Sequence, residues 1–419
     1  VAPSRGLGDV YKRQEQFENK IIYYETSRGC PFSCSYCLSS IDKTMRFRDM
    51  ELVKSELKFF IEHNTAQVKF VDRTFNCRHD RTMEIWKFIK ENDNGITNFH
   101  FEIAADLITD DEIELIRTMR QGLIQLEIGV QSVNDMTLGA IHRKTNLYKI
   151  EKVVKKIREG ENVHQHLDLI AGLPYEGYES FAESFNRVYA MKPDQLQLGF
   201  LKVLHGSLME TESDKYRITY SGSAPYEVLE TKWISFEQLL KLKEVTEAVE
   251  IYYNSFQFVN TIKMLESEFQ SAFDLYEKLG FYYKNHSANG EKHSRISRYN
   301  ILIGFMEETV SGFQKKSNKY KEALTLDFYL RENAKSRPHF SNDDSMHKKE
   351  IREFFKSDKV REILPGYENY DSRQLEKMTH VEEFGIDSEK KTYILFDYKN
   401  RNVLNRQAAT VDITKWINT

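Results

Sequence analysis

The sequence predicts an α/β fold, with a parallel sheet in the first half of the chain and a mainly helical region after it. The first observation is that six strand-like segments alternate with helix-like segments between residues 21 and 201. Such alternation is typical of a parallel sheet with helical crossovers. The second observation is the dense helical spacing of apolar residues between 233 and 284, which predicts helices rather than further strands.

The predicted strands are short apolar runs bounded by loops. They cover residues 21–25, 67–72, 98–104, 123–130, 163–171 and 195–201. A complete (β/α)8 barrel has eight strand–helix units, and this chain falls short of that number. Ligands of parallel α/β proteins gather at the carboxyl ends of the strands. Functional residues are therefore expected directly after each strand.

The helices between these strands are predicted from apolar residues at helical spacing. They cover residues 49–63, 81–90, 149–158 and 178–191, and another begins at Thr109. Acidic residues fill the first turn of that helix, which the helix dipole favours. Gly122 is expected to end it.

The second half of the chain is predicted to be helical almost throughout. After a polar loop over residues 285–297, further helices are expected near 299–313 and 319–329. Residues 391–412 predict a terminal β-hairpin with its turn at 398–401, although no Asn-Gly pair fixes that turn. The aromatic residues of this half lie at helical spacing and are interpreted as core.

Three parts are expected along the chain: a leader over residues 1–18, a core over 19–206 and a mostly helical extension over 207–419. The leader carries turn residues without periodicity, so it is either foreign to the native protein or a disordered terminus. If it is foreign, the rest of the chain starts within a longer protein and an upstream domain is missing.

Composition excludes several classes of protein. The 419 residues carry 60 basic and 64 acidic side chains, a net charge of −4, which argues against a nucleic-acid-binding surface over the whole molecule. No run of about 18 apolar residues predicts a membrane span, and no secretory signal is visible. The cytoplasm is the expected compartment, and its reducing conditions suit thiolate ligands.

One stretch carries the clearest chemical pattern. Cys30, Cys34 and Cys37 fall within eight residues with the spacing C-x3-C-x2-C, on a Gly- and Pro-containing loop after the first strand. Three thiolates from one loop suit a metal centre. A cubane iron–sulfur cluster has four irons that each need an outer ligand, so three cysteines leave one iron open to another molecule.

Other interpretations of the cysteines remain open. Cys77 or His79 would complete a mononuclear zinc site, which normally takes four protein ligands. The three cysteines are alternatively ordinary buried thiols, or part of a disulfide, although nothing marks the chain as secreted. Cys77 has no assigned role of its own and is interpreted as a plain thiol.

Three further strings lie at the ends of the predicted strands or after them. They read E-x-G-V-Q-S over residues 127–132, H-R-K-T over 142–145 and L-D-L-I-x-G-L-P over 167–174. Together with the cysteine motif and the aromatic Tyr36 before its last cysteine, they resemble the radical S-adenosylmethionine (radical SAM) enzymes. Within these the likeness is to the branch of oxygen-independent coproporphyrinogen oxidases and cobalamin-binding radical SAM proteins. It spans about residues 21–206, and residues 207–419 resemble an uncharacterised extension found on some cobalamin-binding members.

The resemblance implies a partial barrel of six strand–helix units that holds a 4Fe-4S cluster and SAM. Cys30, Cys34 and Cys37 would bind three irons, and the amino and carboxylate groups of SAM would bind the fourth. The family's glycine-containing motif after the second strand is replaced here by Val71 and Asp72, so that motif is carried over only weakly.

Polar residues at the other strand ends are candidates for holding SAM. A planar guanidinium suits a carboxylate, which makes Arg143 the candidate for the SAM carboxylate. Carboxylate and amide groups suit a ribose diol or an amino group, which makes Asp168, Gln131 and Glu102 candidates for those. Tyr36 would lie against the adenine. Each of these residues also has a structural alternative, such as a buried hydrogen bond for Asp168 or a surface position for Arg143.

The function that the resemblance implies is reductive cleavage of SAM to a 5′-deoxyadenosyl radical that acts on an unknown substrate. A flavodoxin- or ferredoxin-type reductant is the expected partner. Cobalamin, with methyl transfer or a rearrangement, enters only through a missing upstream domain. The alternatives are a zinc-dependent interaction module and an iron–sulfur protein that only transfers electrons. Nothing in the sequence identifies the substrate.

Overall fold

The computed structural model describes residues 20–286, 294–334, 336–341, 348–357, 359–364, 366–367, 369–385 and 390–417. The leader expected over residues 1–18 lies outside these ranges. The chain divides into two compact units between Lys243 and Glu244.

A six-stranded parallel sheet organises the first unit. Its strands pair in chain order, so the first and last strands form its two edges. The strands are β1 (Ile21–Tyr24), β2 (Gln67–Phe70), β3 (Asn98–Ile103), β4 (Ile124–Gln131), β5 (His164–Ala171) and β6 (Gln195–Phe200). This confirms the predicted α/β class and the count of six strand–helix units.

Helices connect consecutive strands and cover one face of the sheet with apolar side chains. They are α1 (Met50–Glu62), α2 (His79–Glu91), α3 (Asp110–Arg117), α4 (Leu147–Arg158) and α5 (Tyr178–Ala190). Thr109 and Glu112 form a capping box at the start of α3, as the acidic first turn predicts. That helix ends at Arg117, before Gly122, which lies in the turn that leads into β4.

Strand β4 shows how the sheet separates apolar from polar side chains. Ile124, Leu126, Ile128 and Val130 are buried, and the alternate residues, from Gln125 to Gln131, are only partly buried. Successive side chains of a strand point to opposite faces. One face of the sheet therefore packs as core, and the other presents polar groups to the interior of the partial barrel.

Register between the strands brings the polar side chains of that inner face together. Glu102 of β3 pairs with Glu127 of β4, and Gly129 pairs with Asp168 of β5. Neighbouring strands are about 4.8 Å apart, so these residues form a continuous polar surface toward the carboxyl ends of the strands.

The second unit is helical, with a small antiparallel sheet. Its sheet contains β7 (Thr379–Phe384), β8 (Thr392–Arg401) and β9 (Ala408–Asp412). Its larger helices are α6 (Phe236–Tyr252), α7 (Val259–Leu265), α8 (Ala272–His286), α9 (Arg295–Thr309) and α10 (Phe313–Arg331). Helix α6 starts before the division between the units. Shorter helices are α11 (Lys348–Lys356), α12 (Lys359–Ile363) and α13 (Ser372–Met378). The predicted hairpin is formed by β8 and β9.

Two local expectations for this unit are wrong. The hairpin turn lies after Arg401, not at 398–401, because the Asn402 side chain accepts hydrogen bonds from the backbone N–H groups of Leu404 and Asn405. Helices occupy both ends of the loop expected over 285–297: α8 continues to His286, and Ser294 caps α9. Residues 287–293 lie outside the described ranges.

Candidate functional site

The loop that carries the three cysteines is anchored at its start by a buried carboxylate. Asp72, just after β2, accepts hydrogen bonds from Thr26 N (3.0 Å), Thr26 Oγ1 (2.7 Å) and Ser27 Oγ (2.5 Å). Burial raises the pKa of Asp72, and these hydrogen bonds oppose that rise. The carboxylate therefore fixes the chain immediately before the cysteines.

Gly29 allows the loop to fold back on itself. Its φ angle is +99°, and a Cβ atom there would lie 2.4 Å from the backbone oxygen of Thr44. Only glycine tolerates both the left-handed backbone and the close approach. The backbone N–H of Cys30 then donates to Asp42 O at 3.4 Å, which closes the loop.

The far side of the loop is held by two backbone hydrogen bonds through Ser35. Its N–H donates to Ile141 O at 3.0 Å, and its carbonyl accepts from Met209 N at 2.8 Å. The cysteine loop is therefore fixed at both ends by other parts of the first unit.

The three cysteines differ in exposure but face the same cavity. Cys30 and Cys34 are buried, whereas Cys37 is partly exposed. The Cys30 thiol lies 3.6 Å from Thr74 Oγ1, and Arg143 Nη1 donates to Cys34 Sγ at 3.7 Å. Within the described residues, no three Cys, His, Asp or Glu side chains converge closely enough to hold a single metal ion.

A cavity of about 220 Å³ joins the three cysteines and the five candidates for SAM binding proposed from the sequence. It lies at the carboxyl ends of the strands, where ligands of this architecture bind. Its lining includes Cys30, Cys34, Cys37, Tyr36, Glu102, Gln131, Arg143 and Asp168, together with Phe32, Ser40, Arg73, Thr74, Ile103, Ala104, Glu127 and Gly129. The structure thus brings together residues that are up to 138 positions apart in the sequence, from Cys30 to Asp168.

Arg143 connects the cysteine loop to the end of β4. One terminal nitrogen, Nη2, donates to the backbone oxygen of Gly129, and the other faces Cys34. Its Nε is buried and has no hydrogen-bond partner among the described residues. Arg143 is therefore a partly buried cation whose Nε donor is still available, not the surface residue considered as an alternative.

Gln131 is held in an uncommon backbone conformation at the end of β4. Its φ angle is +72°, and a register shift between Gly129 and Gln131 marks a bulge in the pairing with β5. A Cβ atom on Gly129 would lie 2.2 Å from Gln131 Nε2, so the glycine leaves room for this side chain. Bulges commonly redirect a side chain near a functional site. Gln131 Oε1 is buried without a partner in the described part of the chain.

Charged groups line the inner face of the sheet below the cavity. Lys69 Nζ donates to Glu127 Oε2 at 3.0 Å, and His100 Nε2 lies 2.9 Å from the same oxygen. Burial alone would raise the pKa of Glu127, but these two neighbours outweigh it and lower the pKa to about 2. Glu127 is therefore ionised and faces the barrel interior.

Two further carboxyl groups are perturbed by burial. Burial and, to a smaller extent, the negative charge of Glu127 together raise the pKa of Glu102 to about 6. Burial also raises the pKa of Asp168, although His166 Nε2 lies 3.0 Å from its Oδ1 and opposes this. Perturbed carboxyl groups in a cleft are typical of functional sites.

The two zinc ligands considered from the sequence have other surroundings. His79 contacts Glu112 Oε1 at 3.1 Å and Asp111 Oδ2 at 3.2 Å, and it does not line the cavity. Cys77 is also absent from the lining, and burial raises the pKa of its thiol. The donors that line the cavity fit a multi-iron cluster held by three spread thiolates better than a single zinc ion.

Sequence reasoning missed some residues of this site. Arg73 lines the cavity, and Lys69 and His100 support Glu127, but none was proposed. A signal was present for His100, which lies on the same face of β3 as Glu102 because side chains alternate with a period of two. Arg73 follows directly after β2, where ligands are expected.

Comparison with known families agrees with this geometry. The model of the radical SAM superfamily matches residues 24–188. This segment is a radical SAM domain. A second model, described as a protein of unknown function (DUF4080), matches residues 214–404. The resemblance drawn from the motifs is thereby confirmed. Radical SAM domains use a 4Fe-4S cluster and SAM, and members of the superfamily are enzymes.

Curated relatives match the radical SAM domain over part of their length. The 2-(S-pantetheinyl)-carbapenam-3-carboxylate methyltransferase of Streptantibioticus cattleyicolor is 28% identical over 166 residues, which is 38% of this chain and 24% of that protein. The cobalamin-dependent radical SAM methyltransferase TokK of Streptomyces tokunonensis is 27% identical over 167 residues, again 38% and 24%. The match therefore spans about a quarter of each relative.

One solved structure that resembles this chain is the radical SAM methyltransferase TsrM from Kitasatospora setae, with cobalamin and a 4Fe-4S cluster bound. It aligns with a TM-score of 0.42 and 14% identity. The alignment covers 49% of this chain and 43% of that one. None of the helices in the described ranges has the length and apolar character that crossing a membrane requires.

Proposed function

We propose that the chain is a radical SAM enzyme whose cofactors bind in the 220 Å³ cavity. The observation that carries the proposal is that the three cysteines and the five polar or aromatic candidates line this one cavity. They come from the cysteine loop, from three different strands and, for Arg143, from the segment between β4 and α4, so their convergence depends on the fold rather than on proximity in sequence.

Cys30, Cys34 and Cys37 would hold three irons of the cluster, each thiolate filling one outer ligand position. The frame around them supports this role, since Asp72, Gly29 and Ser35 fix the loop with protein contacts alone. Arg143, beside Cys34, would stabilise the negative charge of the thiolates and orient the neighbouring ligand.

The buried atoms without partners support a polar ligand next to the cysteines. Gln131 Oε1 and Arg143 Nε need hydrogen-bond partners, because a buried polar atom without one is costly. SAM carries donors and acceptors that match them. Arg143 would bind its carboxylate, Gln131, Asp168 and Glu102 its ribose and amino groups, and Tyr36 its adenine.

When bound and reduced, the cluster and SAM supply a 5′-deoxyadenosyl radical that removes a hydrogen atom from the substrate. The chain's own residues bind, orient and enclose these groups. We infer that a flavodoxin- or ferredoxin-type protein delivers the electron and that the enzyme works in the cytoplasm, where thiolate ligands stay reduced.

The first test is reconstitution of the full chain with iron and sulfide without oxygen, followed by reduction with dithionite and addition of SAM. We expect iron and sulfide to load together and SAM to yield 5′-deoxyadenosine and methionine slowly, even without substrate. Zinc binding in place of iron, or a loaded and reduced cluster that binds SAM without yielding 5′-deoxyadenosine, would contradict the proposal.

Substitution of the cysteines tests the ligand assignment. Cys30→Ala, Cys34→Ala and Cys37→Ala should each abolish cluster loading, because each removes one iron's outer ligand. Cys77→Ala is the matched control, since its thiol is partly buried nearby but lies outside the cavity lining, and it should load normally. Iron and sulfide content per chain is the measurement. Loss of the cluster in Cys77→Ala alone would refute the assignment.

Methyl transfer is a second candidate, favoured by the likeness to two relatives named as methyltransferases. One of these is named as cobalamin-dependent. The candidate predicts that isotopically labelled methyl from SAM is transferred to added cobalamin or to a product, alongside S-adenosylhomocysteine. If only 5′-deoxyadenosine and methionine form when a separate cobalamin-binding domain supplies bound cobalamin, this candidate is rejected and the first remains.

A further inference from the structure

A groove of about 840 Å³ lies within the second unit. It shares no lining residue with the proposed cofactor cavity. Its lining comes from helices α7 and α10, from strands β7, β8 and β9, and from the residue just before β9. Its volume falls in the range of about 300–1,000 Å³ that small organic ligands occupy. The groove is therefore large enough for a small molecule of its own.

Part of the groove lining is apolar and still accessible to solvent. Val259 is 42% exposed. Four further apolar side chains of the lining keep part of their surface exposed: Met264, Leu326, Phe384 and Ile394. A hydrocarbon chain laid against these five side chains would remove their surface and its own from water, which is favourable.

Contacts near both ends of α7 fix its direction relative to α10. At its start, the buried carboxylate of Asp327 accepts hydrogen bonds from Asn260 N at 2.9 Å and Thr261 N at 2.8 Å. Beyond its end, Lys316 Nζ donates to Glu268 Oε1 at 2.6 Å. Residue numbers rise along α7 while those of the contacted residues fall along α10. The two helices therefore run antiparallel.

The antiparallel arrangement gives the groove an apolar end and a cationic end. Val259 and Leu326 lie beside the contact at Asp327. Lys263 follows Val259 by four residues on α7, and Lys319 precedes Leu326 by seven on α10, which is about 6 and 10 Å at 1.5 Å per residue. Because the helices are antiparallel, both displacements have the same direction. The two lysines therefore lie toward the same end of the groove.

Neither lysine is neutralised by the described part of the chain. Lys263 and Lys319 are exposed, and their side chains form no ion pair or hydrogen bond with described residues. Glu322 is the one acid of the described lining, and its Oε1 accepts a hydrogen bond from Gly385 N at 2.6 Å. Two cations against one acid leave the lysine end of the groove with a net positive charge.

We propose that this groove binds a small amphipathic anion, with an aliphatic chain along the accessible apolar side chains and an acid group at Lys263 and Lys319. The two ends of the groove select this occupant. A neutral chain would leave both lysines unmatched, and an acidic peptide or free phosphate would leave the apolar side chains in water. The site lies in the second unit and does not depend on the proposed radical SAM function.

The first test is calorimetric titration of the full chain with octanoate, decanoate, decyl phosphate and neutral decanol. Decanoate or decyl phosphate should bind more tightly than decanol, because only the anions match the lysines. The tighter of the two anions identifies the acid group. Decanoate should also bind about fivefold to tenfold more tightly than octanoate, since two further methylene groups leave water.

Variants separate the contribution of the acid group from that of the chain. The double variant Lys263→Gln/Lys319→Gln should raise the dissociation constant of the tighter anion about tenfold, which corresponds to about 0.7 kcal/mol for each exposed lysine. Its affinity for decanol should stay unchanged. Leu326→Ala should weaken binding of the anion and of decanol alike, because it removes apolar surface that both chains contact.

The matched control is the double variant Lys278→Gln/Lys284→Gln on α8. It changes the net charge of the chain by the same amount, but these lysines are paired with Asp274 and Glu244 and do not line the groove. It should bind the anion as the wild type does. Chemical denaturation of each variant shows whether the fold is retained.

Several results would overturn the proposal: no binding of either anion, decanol binding as tightly as the anions, or an equal loss of affinity in both double variants. Triglutamate, which carries charge without an alkyl chain, should bind weakly; if it binds as tightly as decanoate, the groove recognises charge alone and the amphipathic assignment is wrong. None of these measurements uses the cluster, SAM or turnover. A chain that yields no 5′-deoxyadenosine but binds decanoate in this way would refute the proposed function and keep the groove site.

Discussion

At the scale of single residues, Glu176 shows how burial makes one carboxyl group sensitive to pH. It lies after β5, and its Oε1 accepts hydrogen bonds from Ser132 Oγ and Ser184 Oγ, both at 2.8 Å. Burial raises its pKa from 4.5 to about 7, although the two hydroxyl groups oppose this. The side chain thus links the loop after β4 to helix α5. Its carboxyl group ionises less readily there than in water.

This shift predicts a pH dependence of stability. Between pH 4.5 and 7 the folded chain holds a proton that the unfolded chain releases, so stability falls as the pH rises through this window and is level above it. Glu176→Gln keeps an acceptor for both serines but cannot ionise. Between pH 5 and 8 we expect the variant to lose less unfolding free energy than the wild type, by up to about 3 kcal/mol. This figure follows from the pKa difference, because one pKa unit corresponds to about 1.4 kcal/mol.

The measurement is chemical denaturation of the wild type and the variant at pH 5 and pH 8. Glu183→Gln, at an exposed position of the same helix, is the control and should leave the pH dependence unchanged. If Glu176→Gln shows the same fall in stability as the wild type, the carboxyl group titrates in its ordinary range and the argument from burial is wrong.

The sequence predicted candidate site residues best where a side chain lies toward the carboxyl end of a strand. Asp168 and Gln131 line the cavity because the carboxyl ends of parallel strands meet at one edge, whatever the details of packing. Lys69 and His100 were missed because their importance comes from their contacts with Glu127. Glu127 lies on β4, next to the strand of His100 and two strands from that of Lys69. Such cross-strand charge contacts depend on register, which one sequence does not specify.

At the scale of elements, the bulge at the end of β4 decides where Gln131 points. The absence of a side chain at Gly129 leaves the space that Gln131 Nε2 occupies, 2.2 Å from where a Cβ would stand. Gly129→Ala should displace the flexible end of Gln131 from the cavity. We expect SAM affinity to fall by about tenfold, the value of one hydrogen bond to a charged or strongly polar group.

The unfolding free energy of Gly129→Ala should change by less than about 1 kcal/mol, because only a side-chain end moves and alanine is favoured over glycine in a strand. Calorimetric titration with SAM and denaturation measure the two effects. Gly139→Ala is the control: a Cβ atom there would have no other atom within 4 Å, and its SAM affinity should equal that of the wild type. Unchanged affinity in Gly129→Ala would remove Gln131 from the SAM site.

Element boundaries in the first unit were predictable because each helix crosses over between parallel strands. Helix α5 and strand β6 start at the predicted residues. In the second unit, α11 to α13 and β7 have no counterpart in the expectations. These helices are short, and short helices depend on tertiary packing rather than on their own propensity; Phe354, Val360 and Leu375 contribute to one shared core.

At the scale of the whole molecule, every residue that lines the proposed cofactor cavity lies before Lys243, in the first unit. Ligand binding stabilises the structure that it contacts. SAM should therefore slow amide hydrogen exchange in the loop over residues 29–40 and at the ends of β3, β4 and β5. Residues 244–419 should exchange at an unchanged rate.

Hydrogen exchange with mass spectrometry, on the cluster-loaded chain with and without SAM, makes this measurement. Adenosine, which lacks the methionine part, is the control ligand and should protect less around Arg143. Protection centred on residues 244–419 would place SAM in the second unit and contradict the site.

The anchoring of the cysteine loop by Asp72 has a consequence for damage and repair. The hydrogen bonds to Thr26 and Ser27 are made by protein atoms alone, so the anchor just before the cysteines uses no contact to the metal that the loop is proposed to carry. A chain whose cluster is destroyed by oxygen would keep its thiols in position and remain a substrate for the assembly machinery. Replacement would then need iron, sulfide and a reductant for the thiols, but no new synthesis of the polypeptide.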